Sequence, residues 1–143
     1  MSEANKKTAI AFIDAMSIGD ASGQAACLAD DAFTVTKGFA GVSGQRNRET
    51  MLATVDAFRD VVPTGFRPKY EKVVAEGDCV VVEWEGNAVL SNGMPYCNQY
   101  VFIFSFNEAG KIRQLNEYFC TVLADRAILP LLAEKGEELA HGN

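Results

Sequence analysis

The chain of 143 residues is 48% hydrophobic and 22% charged, with a formal net charge of −6, which describes one globular domain over residues 1–143 with enough apolar mass for a core. It contains no apolar run of the roughly 18 residues that a membrane span needs, and its 13 basic residues form no patch that could neutralise phosphates, so neither a membrane nor a nucleic acid is an expected partner. The single histidine, His141, lies beside the C-terminus, which excludes histidine triads and histidine-rich metal centres and leaves acid–base chemistry to carboxylates, tyrosine, lysine or cysteine.

The first element is a helix over residues 3–18, where Ala9, Phe12, Ile13 and Met16 recur at helical spacing and Gly19-Asp20 ends the pattern. No apolar core of a secretory signal is present there. A short helix over about 22–28 leads through Asp30-Asp31-Ala32 to a strand, Phe33–Thr36. Lys37 to Gln45 reads as a loop whose three glycines fit no phosphate-binding pattern. A third helix covers about Arg46–Val62 and stops at Pro63 and Gly65. Phe66–Glu76 is the next strand.

From Asp78 to Val122 the pattern changes to an antiparallel meander of three strands, Cys79–Leu90, Pro95–Phe106 and Lys111–Val122. In the second of these, Asn98, Tyr100, Phe102, Phe104 and Phe106 alternate with Gln99, Val101, Ile103 and Ser105, the strongest strand signal in the chain. Apolar parity shifts between Ile112 and Leu115, which predicts a β-bulge near Arg113-Gln114. A C-terminal helix is expected over Ala124–Leu139, with Pro130 restricting its start. The order describes an α+β domain with helices on one face of a curved sheet. Cys27, Cys79, Cys97 and Cys120 are single and widely spaced, the usage of reduced thiols in a cytoplasmic protein rather than of a disulfide framework or metal site.

Two groups of landmarks now carry a resemblance. One is Gly19-Asp20 with Ala29-Asp30-Asp31-Ala32 before a strand; the other is Gly110-Lys111-Ile112 with Glu117-Tyr118-Phe119. With the order of elements, the chain resembles the nuclear-transport-factor-2-like superfamily, in its SnoaL-like and ketosteroid-isomerase-like branch, over about residues 5–130. The resemblance implies a curved mixed or antiparallel sheet wrapped around helices, an α+β cone of cystatin-like shape enclosing a conical apolar pocket. It implies activities ranging over isomerases, polyketide cyclases and epoxide hydrolases, and proteins with no catalysis.

Specific catalytic sets are not carried over. Phe12, Thr36 and Phe102 stand where the resemblance places the isomerase's helix tyrosine, base aspartate and oxyanion-hole acid. Glu117 in Asn116-Glu117-Tyr118-Phe119-Cys120 matches the acid of limonene epoxide hydrolases, but Trp84 and Gly86 replace their arginine and second aspartate. SnoaL-like cyclases are similar in placing a base near Glu117, with histidines that this chain lacks.

A cone of this kind turns Asn98, Tyr100, Phe102, Leu115, Glu117, Phe119 and Trp84 into one aromatic pocket. Glu117 is the expected acid or base, assisted by Tyr100 and Asn98, with Trp84, Phe12, Phe102 and Phe119 holding a small, largely apolar cyclic metabolite. No cofactor and no metal are expected. The reaction class would be isomerisation, cyclisation, hydration or dehydration, in an isomerase, cyclase or hydrolase. Each residue also has a plainer role: Glu117 hydrated at the mouth or paired with Arg113 or another base, Tyr100 and Asn98 as satisfied sheet residues, the phenylalanines as core. A non-catalytic ligand-binding module, or an interaction protein whose cavity is filled by its own side chains, therefore stays open. Val101 and Ile103 on the opposite sheet face, beside Glu83 and Glu85, point to a homodimer through that face.

Overall fold

A computed structural model describes residues 2–134. Its elements in order are α1 (Ser2–Ser17), α2 (Ala21–Cys27), β1 (Leu28–Thr36), β2 (Gly44–Asn47), α3 (Arg48–Val61), β3 (Pro68–Glu76), β4 (Cys79–Val89), β5 (Pro95–Phe106), β6 (Ile112–Phe119), α4 (Thr121–Ala127) and α5 (Leu129–Glu134). The strands form one mixed sheet in the order β2-β1-β6-β5-β4-β3. Only the β1–β6 pair is parallel.

The meander forms as its alternation dictates. Val80, Val82, Trp84, Tyr100, Phe102, Phe104 and Leu115 all point to one buried face. The stripe of α1 closes on it, Phe12 meeting Phe104 edge to face at 5.7 Å between ring centroids. The expected bulge is present: Ser105 pairs with Gln114 and Phe106 with Ile112, leaving Arg113 as the extra residue. A second apolar cluster joins Val61, Val62, Phe66, Leu90 and Tyr96 to Ile128, Leu131 and Leu132. Gly65, at φ +71, makes that junction possible, since a Cβ there would stand 2.7 Å from the Ser17 carbonyl oxygen.

Three expectations are corrected. The segment read as loop followed by helix start contains β2, paired with β1 from Phe33↔Asn47 to Thr36↔Gly44. Helix α3 therefore begins at Arg48, with the Asn47 side chain accepting from Thr50 N as its N-cap. Strand β1 is longer than expected and reaches back to Leu28, across a register shift between Leu28 and Phe33. The single C-terminal helix is two short ones, because Pro130 falls where a continuous helix would need its N–H. Residues 135–139 of that expected helix, and His141, lie outside the described residues. No helix among the described residues is long and apolar enough to cross a membrane.

Candidate functional site

Glu117 sits on β6, and the parallel pairing with β1 sets Thr36 directly beside it. The Thr36 hydroxyl donates to Glu117 Oε1 at 2.7 Å. On the far side of β1, the antiparallel register of β2 turns Arg46 inward. Its Nη1 donates to Thr36 Oγ1 at 3.1 Å and its Nη2 to the Val42 carbonyl at 2.6 Å. Guanidinium, hydroxyl and carboxylate thus form a relay across three adjacent strands, with Thr36 standing between the two charges. Thr34 Oγ1 donates to the Leu115 carbonyl at 3.1 Å, and the same hydroxyl is a lesser influence that favours the Glu117 carboxylate.

The electrostatics follow from this enclosure. Burial raises the Glu117 pKa; the Thr36 hydrogen bond and the Arg46 charge pull the other way without cancelling it. Burial also lowers the Arg46 pKa, against the attraction of Glu117. Glu117 as a whole is only half-buried, because part of its surface is cavity wall, but protein closes around the carboxyl. Arg113, the exposed bulge residue, is not its partner; the base that acts on Glu117 is Arg46, through Thr36.

The cavity beside Glu117 has a volume of about 110 Å³. Phe12, Trp84, Phe102 and Phe119 are all on its wall, so the aromatic set read from the sequence is brought together. Trp84 stacks on Tyr100, centroids 4.2 Å apart and planes 12° off parallel. Burial, followed by the neighbouring Tyr96, drives the Tyr100 phenol well above its ordinary pKa, so it stays protonated. Asn98 is not on this wall. Its Nδ2 donates to Tyr96 Oη at 2.8 Å and to the Cys120 carbonyl at 3.1 Å, while its oxygen accepts from Gln99 N and Cys120 N. Its hydrogen-bonding capacity is used up within β5 and in tying β5 to Cys120 at the end of β6, which leaves nothing for an oxyanion.

Residues that the sequence reading did not select also line the cavity, among them Gln24, Arg46, Met51 and Thr54. Arg46 gave no signal because a buried arginine on a four-residue polar edge strand breaks no apolar period. The 37–43 loop is tied to α4 beside the cavity: Gly41 N and Val42 N donate to the two Asp125 carboxylate oxygens at 2.7 and 2.8 Å. Val42, Ala124 and Ile128 contribute to the wall there. Cys97 and Cys120 are exposed, and the four cysteines are unpaired.

Residues 9–115 match the SnoaL-like domain family. No protein with a curated description matches the chain. Among solved structures, an NTF2-like protein from Burkholderia xenovorans LB400 is 21% identical, with a TM-score of 0.70 over 89% of this chain and 97% of the other. An LEH-like epoxide hydrolase of M. tuberculosis is 19% identical, with a TM-score of 0.71 over 93% and 98%. PrhC from Penicillium brasilianum is 16% identical, with a TM-score of 0.75 over 94% and 91%. At these identities the likeness is one of fold.

Proposed function

The chain belongs to the SnoaL-like domain family, and from that premise we propose that it binds a small, largely apolar cyclic molecule and exchanges a proton with it through Glu117. The observation that carries this is a carboxyl whose pKa is raised by burial, set in an aromatic cavity and held by Thr36 and Arg46. A buried carboxyl with raised proton affinity in a cavity is suited to acid–base work. In the base direction a C–H bond beside a carbonyl breaks, its proton passes to the Glu117 carboxylate, and the electron pair moves into an enolate. The same carboxyl returns the proton at another position of the enolate, which describes an isomerisation without a cofactor. Neighbours of the same shape described as an epoxide hydrolase and an isomerase lend support to an enzymatic reading.

The test needs no known substrate. Deuterium uptake from D₂O beside the carbonyl of 2-cyclohexenone is followed by NMR with wild type and with Glu117→Gln. We expect catalysed exchange that falls by about 100-fold or more in the variant. Equal rates with both proteins would remove Glu117 from the chemistry.

The small volume favours a second reading, a module that holds its ligand without turnover. Tight binding with no exchange above buffer would decide for it. Four unpaired cysteines support a cytoplasmic setting. We further propose a homodimer through the outer sheet face. There Val74, Val81, Ile103, Asn116 and Val35 stand in register across five strands, an almost unbroken apolar row.

A further inference from the structure

Three side chains on the cavity wall are deeply buried and yet carry a polar atom without a partner among the described residues. These are Gln24 Oε1, Arg46 Nε and Trp84 Nε1. Their residues are 2%, 5% and 1% exposed. A fourth such atom, Arg48 Nε, belongs to a residue away from this wall. Leaving a buried donor or acceptor unpaired costs about 1–3 kcal/mol, and native interiors rarely contain one without a reason. Three around a single cavity form a pattern: two donors and one acceptor, contributed by α2, β2 and β4. Strands β2 and β4 lie on opposite flanks of the sheet, separated by β1, β6 and β5. The unmet groups therefore approach the cavity from different sides.

Volume narrows the chemistry. At about 110 Å³ the space is near that of an engineered apolar cavity of roughly 150 Å³ that admits benzene, and well below the ~300–1,000 Å³ of sites for larger ligands. A single ring is the ligand size that this volume matches best. We propose that the cavity takes a six-membered ring carrying two oxygen substituents, at least one of them a hydroxyl. Trp84 Nε1–H and Arg46 Nε–H donate to oxygen, and Gln24 Oε1 accepts the hydroxyl proton. The aromatic wall supplies the apolar contact, and Glu117 lies within the same enclosure. This inference deepens the acid–base reading and rests on the cavity being a ligand site.

Trp84 is the only tryptophan in the chain, so its indole N–H gives one assignable NMR signal. The three benzenediols are titrated with benzene as the apolar control and a steroid as the oversized one, and affinity is also read by calorimetry. We expect at least one benzenediol to bind, to shift the indole signal and to protect it from exchange. Benzene should bind about tenfold more weakly, equivalent to roughly 1.4 kcal/mol, and the steroid should not bind. Trp84→Phe and Gln24→Met should each weaken the benzenediol by about tenfold, with folding verified by circular dichroism.

Benzene binding as tightly as the diols, or diol affinity unchanged in both variants, overturns the inference. So does a steroid taken in preference to single rings, which would leave the acid–base reading standing. Ordered water alone at the three polar atoms, with an unmoved indole signal under every probe, overturns it as well. Diol binding by a protein without deuterium exchange would instead sink the acid–base reading and leave this one intact.

Discussion

Glu117 owes its position to register and its chemistry to what its neighbours leave unmatched. Thr36 and Arg46 stabilise the carboxylate, but burial outweighs them and the folded pKa is raised. The sign for stability follows. A carboxyl with a raised folded pKa binds its proton more tightly in the native state, so stability is greatest below the unfolded value near 4.5 and declines as pH rises toward the folded value. Glu117→Gln removes this slope. Denaturant unfolding at several pH values should show the variant gaining on wild type above pH ~4.5, by about 1.4 kcal/mol for each unit of the shift. Parallel profiles for the two proteins would contradict the raised pKa. Thr36→Val tests the relay: it strands Arg46 Nη1, should cost about 1–3 kcal/mol, and should push the Glu117 pKa higher still. Glu117 was legible in the sequence, because an acid in an alternating aromatic strand declares its face. Arg46 was not, because its meaning depends on Thr36, ten positions earlier in the chain.

Among the elements, the 37–43 loop is defined by what clasps it. Both Asp125 oxygens accept backbone N–H groups, and Gly41 approaches so closely that a Cβ there would meet Leu129 Cδ2 at 2.9 Å. Since α4 carries Asp125 and also the cavity residue Ala124, the clasp couples the C-terminal helices to the cavity wall. Asp125→Ala should cost about 2 kcal/mol and accelerate hydrogen exchange at the Gly41 and Val42 amides, while those of β4 and β5 remain protected. Uniform loosening, or no change at the loop, would show that the clasp does not hold the loop in place. The meander was readable from period-2 alternation, and even its bulge showed as a change of parity. Strand β2 was invisible for the opposite reason: Gly44, Gln45, Arg46 and Asn47 form a strand only because β1 offers them an edge.

For the whole molecule, the inner face of the sheet is covered by helices and the outer face is left with its apolar row. Val74 and Tyr118 are exposed there, and Glu83 and Glu85 border it. A second copy could cover this face if about 800 Å² is buried on each partner. Sedimentation velocity at micromolar concentration should show a dimer that Ile103→Lys dissociates. A wild-type monomer under those conditions would overturn the assembly.

The sequence by itself determined the α+β class, the helix-then-meander order, the inward face of each meander strand and the presence of one acid among aromatics. These are local periodicities, and burial enforces them wherever one face of an element must leave water. Tertiary structure alone decided that Asn98 is consumed by Tyr96, Gln99 and Cys120, that Arg46 reaches Glu117 through Thr36, and that the cavity beside them is about 110 Å³. Hydrogen-bond partners and void volume depend on residues far apart in the chain meeting at close range. Such meetings leave no period to read.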